Sequence, residues 1–198
     1  MIKLTAILPV CNQEELVLRA IKSIPCRDDI EIIVIDDYSS DGTYEIINTY
    51  TQYSKQNIIL LKNENKLYVG GSINKALEIA KGEYVAQIDS DDYVDTVNFN
   101  ELLDMNRTED LLLFHNQIND GSVWEPELID GICDHVCWYK RSIVGDTRQG
   151  DGKWGQGWNF HQEILSKSPT KYYFDKVVYY YNYPRENSNF DLGRRGLL

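Results

Sequence analysis

Short apolar runs rich in β-branched residues recur through the first half of the chain, at residues 4–8, 30–35, 58–61 and 84–88. Nearly continuous runs of this length read as strands buried on both faces. Between the first two, Leu16, Val17, Ala20, Ile21 and Ile24 repeat at helical spacing, which predicts a helix over residues 14–24 with Asn12 and Glu15 as a capping box. A second helix is predicted over residues 43–53 on Ile46, Ile47 and Tyr50, and a third over 73–80 with Ser72 as its N-cap. Strands alternating with helices at this spacing imply a mostly parallel α/β sheet with right-handed crossovers. Ligands of such sheets bind at the strands' carboxyl ends. Beyond Asp92 the pattern weakens to a helix near 97–105, a strand near 111–114, a short helix over 158–165 and a closing strand over 176–183. Residues 145–157 hold five glycines and little periodicity, and read as an exposed loop.

A length of 198 residues suits one domain with a substantial core, and 42% hydrophobic with 26% charged residues is the balance of an ordinary globular protein. The net charge of −11 argues against an extended nucleic-acid or anionic-lipid surface. The first apolar run begins without a charged leader, and no stretch approaches the ~18 apolar residues of a membrane span. The expected compartment is the cytoplasm. Four cysteines are too few for a disulfide framework and read as reduced thiols. Cys133-Asp134-His135-Val136-Cys137 puts two soft ligands and an imidazole within five residues, although a closed zinc site needs four ligands.

The strongest chemical signal is Gln87-Ile88-Asp89-Ser90-Asp91-Asp92, a buried-type strand ending in three carboxylates within four residues. Their mutual repulsion is relieved by a divalent cation, and carboxylate oxygens are the ligands that Mg2+ and Mn2+ prefer. The alternative is a solvated acidic turn. A second acidic turn, Asp36-Asp37-Tyr38-Ser39-Ser40-Asp41-Gly42-Thr43, follows the second strand. There Asp37 is suited to accept from a pyrimidine N–H or a ribose hydroxyl, and Ser40, Asp41 and Gly42 to cap the next helix.

In order and spacing, Leu8-Pro9-Val10-Cys11-Asn12, then Asp36-Asp37-Tyr38-Ser39-Ser40-Asp41-Gly42-Thr43, then Asp89-Ser90-Asp91-Asp92 resemble the family-2 glycosyltransferases, as do Tyr179-Tyr180-Tyr181 and Asn187-Ser188 near the end. The resemblance implies a GT-A fold in a single domain, residues 1–95 forming a nucleotide-sugar-binding half and 96–198 an acceptor-side half. It implies a nucleotide-sugar donor, commonly UDP-linked, a Mn2+ or Mg2+ ion, a glycan or other hydroxyl-bearing acceptor, and transfer with inversion. On that mapping Pro9, Val10, Asn12 and Glu14 lie near the base and Asp37 pairs with it. Asp89, Ser90, Gly71 and Asn74 contact the rest of the donor, Asp89 and Asp91 hold the metal, and Asp92 assists the metal or the acceptor.

Two departures qualify the mapping. The family supplies its general base from G-E-D-x-x-F, and this chain has Gly155-Gln156-Gly157-Trp158-Asn159-Phe160, which leaves Asp151, Glu163 and His161 as substitutes. The family's A-R-N is Ser72-Ile73-Asn74 here, so Lys66 or Lys75 is expected to supply the charge, with Gly70-Gly71 opening backbone N–H groups to phosphate. Trp154 and Trp158 flank the Gly-rich loop as an expected acceptor platform. The competing reading is a catalytically silent relative that binds nucleotide-sugar or glycan. A pyrophosphorylase or a nicotinamide-binding domain lacks support, because no Gly-rich loop follows the first strand.

Overall fold

In the computed structural model, which describes residues 1–126, 137–150 and 156–183, β1 (Leu4–Val10) and β2 (Ile30–Asp36) are buried along their whole length. That burial is why both read as unbroken apolar runs rather than alternating ones. They pair in parallel, as do β2 with β3 (Ile58–Lys62) and β1 with β4 (Tyr84–Gln87), giving the order β3-β2-β1-β4. The connections through α1 (Val17–Ser23) and α2 (Thr43–Thr51) step outward to β3, whereas α3 (Tyr68–Ile79) returns the chain to β4 on the other side of β1. This reversal makes the carboxyl ends of β1 and β4 the topological switch point, where an open α/β sheet forms its crevice.

Pro9 marks where that crevice opens. The carbonyl of Ile7 accepts from the N–H of Ile88, so the β1 groups facing β4 belong to Ile7 and, two residues on, to Pro9. Proline has no N–H to offer, and β4 has ended at Gln87, so no ladder bond is lost.

The second half extends the sheet as β4-β8-β6-β9-β5, with β7 paired to β6 on the side. Here β5 is Tyr93–Val94, β6 Leu111–Ile118, β7 Val123–Trp124, β8 Cys137–Lys140 and β9 Lys171–Tyr181. Among the described residues of this half β6 with β9 is parallel, and β4–β8, β6–β8, β6–β7 and β5–β9 are antiparallel. The α/β sheet expected from the sequence is therefore present, with all the described pairs of its N-terminal half parallel and the second half mixed. The described helices of this half are α4 (Thr96–Asp104), α5 (Arg141–Val144) and α6 (Gln156–Ser166). α3 packs on β1 and β2 and meets α6, while α1 packs with α2 and β5, and α4 with β9. Trp138 anchors the second half, its indole edge-on to Phe99 and Phe114 at 4.7 and 6.0 Å. Among the described residues no helix is long and apolar enough to cross a membrane.

Several local expectations change. α1 begins at Val17 behind Leu16, which makes no side-chain cap, because Asn12 turns left-handed (φ 53°) and spends its carboxamide on Ser40. The helix expected at Ile73 starts a turn earlier at Tyr68, so Ser72 lies inside it, where its hydroxyl accepts from Asn63. β9 starts at Lys171, five residues before the expected strand, because its amphipathic first half alternates exposed positions that hide it from an apolar search. Cys137 is a buried thiol of β8; Cys133, Asp134, His135 and Val136 lie outside the described residues.

Candidate active site at the carboxyl ends of β1, β2 and β4

Two residues past β4, the turn Asp89-Ser90-Asp91-Asp92 closes through the N–H of Asp92 donating to the carbonyl of Asp89 at 3.1 Å. A turn this tight brings the carboxylates of Asp89, Asp91 and Asp92 within 4.8 Å of one another. The three are not equivalent. Asp92 is fully buried and accepts from the Tyr179 hydroxyl at 2.6 Å and from the backbone N–H of Asn182 at 2.8 Å. Those two bonds fasten the acid turn to the end of β9, so Asp92 is a structural anchor. Asp89 and Asp91 are half-buried. Asp89 accepts from the Gln87 amide at 2.8 Å, and the Asp91 carbonyl accepts from Arg19. Two half-buried carboxylates beside a third that is committed form an all-oxygen donor set that fits a hard divalent cation. Ser90 is buried between them in the turn.

Tyr179 holds this arrangement from beneath. Its hydroxyl donates to Asp92 and accepts from the N–H of Asp89 at 3.0 Å. Burial, with the charges of Asp92 and Asp89, pushes that hydroxyl well above the usual phenol range, so it stays a proton donor. Tyr179→Phe is expected to destabilise the fold by about 1–3 kcal/mol by leaving a buried carboxylate short of one donor. A urea unfolding curve with unchanged slope and a lower midpoint would register it.

Next to the acid turn, the loops after β1 and β2 brace each other. Asn12 Oδ1 accepts from the N–H of Ser40 at 2.8 Å, and Glu14 Oε2 from the N–H of Gly42 at 2.8 Å. A Cβ at Gly42 would lie 2.8 Å from that Glu14 oxygen, so a larger residue there would push the Glu14 carboxylate off this bond. Asp37 is 4% exposed, and its Oδ1 accepts from Asn63 and from the N–H of Leu67 at the start of α3, at 2.9 and 2.7 Å. Pro9 and Val10 are buried within β1, and the Val10 carbonyl accepts from the N–H of Asp37 at 2.7 Å. The structure thus brings Pro9, Val10, Asn12, Glu14 and Asp37 to one rim. Asn12, Tyr38 (φ 63°) and Tyr68 (φ 59°) all take left-handed backbone there, a strain that collects at functional edges.

The expected cations divide. Lys66 Nζ reaches the Cys11 thiol at 3.6 Å on the rim, whereas Lys75 bonds Asn63 Oδ1 at 2.9 Å. Burial raises the Cys11 thiol above its ordinary range despite Lys66, keeping it protonated. Gly70 and Gly71 are the third and fourth residues of α3 rather than a loop before it, so they stand at the helix N-terminus. A Cβ at Gly71 would come within 2.8 Å of Leu67 Cβ, which accounts for one glycine by packing. Asn74 exchanges two bonds with the backbone of Gln149, at 2.8 and 2.9 Å, and the Gln149 side chain donates to Gln87. Asn74, Gln149, Gln87 and Asp89 therefore form one relay that holds the start of the Gly-rich segment against the acid turn.

Of the three expected bases, two have structural partners. His161 is buried and its Nδ1 meets the Tyr139 hydroxyl at 2.8 Å, deep in the sheet where Tyr139 stands opposite Val85. Four residues of strand, about 13 Å, separate Val85 from Asp89. Glu163 accepts from Thr147 at 2.7 Å, and Thr147 also accepts from Lys167, which bonds the carbonyls of α5 beside the opposite end of β4. Asp151 lies outside the described residues, as do Trp154, Asn187 and Ser188. Trp158 is 43% exposed on α6. Sequence reading assigned no role to Tyr179, Arg19, Gln87 or Gln149, although Gln87 opens the acidic motif and Tyr179 the run Tyr179-Tyr180-Tyr181.

The description Glycosyl transferase family 2 fits residues 5–114, over half the chain and all of the acid turn. The chain belongs to this family. It is 34% identical over 96 residues to a poly(ribitol-phosphate) beta-glucosyltransferase of Bacillus spizizenii, covering 46% of this chain and 15% of that protein. It is 42% identical over 80 residues to the Escherichia coli UDP-Glc:alpha-D-GlcNAc-diphosphoundecaprenol beta-1,3-glucosyltransferase WfaP, covering 40% and 31%. Among solved structures, Staphylococcus aureus TarS 1–349 in complex with UDP-GlcNAc superposes with a TM-score of 0.83 at 21% identity, covering 95% of this chain and 60% of that one. The fold is therefore GT-A. The chain spans less than two thirds of the length of each of these proteins.

Proposed function

We propose that this family-2 domain transfers a sugar from a UDP-linked donor, held with a divalent cation, to an acceptor hydroxyl with inversion. The observation that carries the reading is the acid turn, with Asp89 and Asp91 offered at the switch point and Asp92 locking them to β9. The names of the relatives, which include a UDP-glucose-dependent enzyme, and the UDP-GlcNAc complex of TarS support the donor class. On this reading Asp89 and Asp91 hold Mn2+ or Mg2+, and Pro9, Val10, Asn12, Glu14 and Asp37 shape the nucleoside end. Ser90, Gly71 and Asn74 support the remainder, with residues 1–95 as the donor half and 96–198 as the acceptor half. When bound, the cation supplies Lewis-acid stabilisation of the charge on the departing diphosphate. The bond from the acceptor oxygen to the anomeric carbon forms as the bond to the diphosphate oxygen breaks; the diphosphate keeps the electron pair and a base takes the hydroxyl proton.

Asp151 is the base in this reading. His161 and Glu163 are engaged in the frame, and the Asn74 relay holds Gln149, two residues before Asp151, beside Gln87. Calorimetric titration with UDP, GDP and CDP, with and without Mn2+, tests the donor site: UDP binding that needs the cation is expected. Asp151→Asn is expected to bind UDP as wild type does and to lose transfer by on the order of 10²–10⁴-fold, the usual worth of a positioned base. A wild-type protein that binds UDP but releases none from UDP-sugars with any acceptor would instead be a binding module, the reading that Gln156-Gly157 favours.

A further inference from the structure

The sheet face that fastens Asp92 continues beyond the acid turn as a row of aromatic rings. Trp124 of β7 and Tyr179 of β9 both stand opposite Asn116 of β6, and cross-strand partners share a face. Tyr181 follows Tyr179 at the two-residue period that keeps strand side chains on one side, and past the strand end the N–H of Tyr183 turns back to the Tyr181 carbonyl while its own carbonyl accepts from the N–H of Asn119. The rings confirm the placement: Tyr181 and Tyr183 are stacked 5.6 Å apart with 11° between planes, and Trp124 tilts against Tyr181 at 6.1 Å and 60°. Trp124, Tyr181 and Tyr183 are all partly exposed.

The row begins at the chemistry, since Tyr179 bonds Asp92 and the N–H of Asp89 and the N–H of Asn182 bonds Asp92. It also runs away from the donor rim: β4 separates β1 and β2, which carry Asn12 and Asp37, from β8, β6 and β9. A second feature points to a ligand rich in hydroxyl groups. Asn116, 3% exposed and opposite both Trp124 and Tyr179, has a buried Oδ1 that no group among the described residues satisfies. Buried amide oxygens are almost always paired, and the exceptions call for a partner.

We infer that Trp124, Tyr181 and Tyr183 form the acceptor subsite, and that it takes a pyranose ring of an uncharged glycan. Resting on the donor reading above, this inference names the acceptor class. A pyranose offers a rigid, C–H-rich face for an aromatic ring and hydroxyls around its edge. An acyclic phosphopolyol has no such face, and its phosphates meet a chain of net charge −11 and three carboxylates at the head of the row.

The test titrates the whole chain with cello-, chito- and malto-oligosaccharides and with ribitol-phosphate oligomers, each with and without UDP and Mn2+, by calorimetry and saturation-transfer NMR. At least one pyranoside series is expected to bind, with its sugar C–H protons receiving saturation from aromatic rings. Tyr183→Ala and Trp124→Ala are expected to weaken that binding about tenfold, the scale of one lost stacking contact, while Trp124→Phe retains most of it. UDP affinity is expected to be unchanged in all three, and Tyr183→Ala, at the end of the row, keeps the test available if Trp124→Ala does not fold. UDP binding with no pyranoside binding, full pyranoside affinity in Tyr183→Ala, or tighter binding of ribitol-phosphate would overturn the subsite and leave the donor reading standing. Pyranoside binding sensitive to Tyr183 in a protein that ignores UDP would support the subsite and sink the donor reading.

Discussion

Asp91→Asn is expected to abolish cation-dependent UDP binding and to lower transfer on the order of 10²–10³-fold, the range seen when one preorganised charge-stabilising group is removed. The expectation rests on the division of labour among three carboxylates that the sequence presents as alike. Asp92 is fully buried and holds Tyr179 and Asn182, so its carboxylate belongs to the frame. Asp91 sits half-buried in the turn, where its carbonyl accepts from Arg19. Replacing its carboxylate by an amide keeps the shape and removes one negative charge, which is what a hard cation binds. The thermal midpoint without ligand should therefore stay near that of wild type. Asp92→Asn is the contrast. An amide there sets an NH2 against either the Tyr179 hydroxyl or the Asn182 N–H, both donors, and stability should fall by about 1.5–3 kcal/mol, as when a charged hydrogen bond is lost. Calorimetry with UDP and Mn2+ alongside urea unfolding separates the two. An Asp91→Asn protein that binds UDP and Mn2+ as tightly as wild type would remove the metal from this turn.

The sequence made the N-terminal half legible because its strands β1 and β2 are buried on both faces and the acidic turns follow the strand ends. Ile30, Ile32, Ile33, Val34 and Ile35 leave no alternative to a central strand, and the acidic turn at Asp36 comes where the strand ends. The second half was harder to read for a physical reason. β5, β7 and β8 are two to four residues long and paired across the sheet, so their burial comes from partners distant in sequence, which no local period reports. Residue roles were less legible than residue positions. Asn12, Glu14 and Asn74 were chosen for a donor, and the structure gives each a backbone partner across a loop, at Ser40, Gly42 and Gln149. A side chain that can contact a ligand can also brace the rim that receives it, and composition cannot separate the two. Tyr179 escaped because nothing in its own segment announces a partner in Asp92, 87 positions away.

Gly82→Ala is expected to cost about 3 kcal/mol or more of stability, at or above the top of the usual range for overpacking. Gly82 lies at the other end of β4 from the acid turn, where Lys81-Gly82-Glu83 leads into the strand. A Cβ built there would fall 2.4 Å from the N of Thr5, 2.6 Å from the carbonyl oxygen of Tyr84 and 2.7 Å from the carbonyl carbon of Leu4. All three are backbone atoms of β1 and β4, so no rotamer change relieves the clash and the strands themselves must part. The same spot carries a buried polar network: the Gly82 N–H donates to the Thr5 hydroxyl, Thr5 donates to Glu31, and Glu31 also accepts from the N–H of Lys81. Glu31 is 1% exposed, and displacing Gly82 strips partners from a buried carboxylate as well as from Thr5. Because β1 and β4 run in parallel from here to the switch point, a gap opened at Gly82 loosens the pairing that aligns Pro9 with the acid turn. The variant should therefore lose UDP affinity in proportion to its unfolded fraction, and regain it when saturating UDP and Mn2+ pull the equilibrium back toward the folded state. Urea unfolding at fixed temperature, with and without UDP and Mn2+, measures both effects; a midpoint unchanged from wild type would mean that β1 and β4 separate here far more easily than their burial implies.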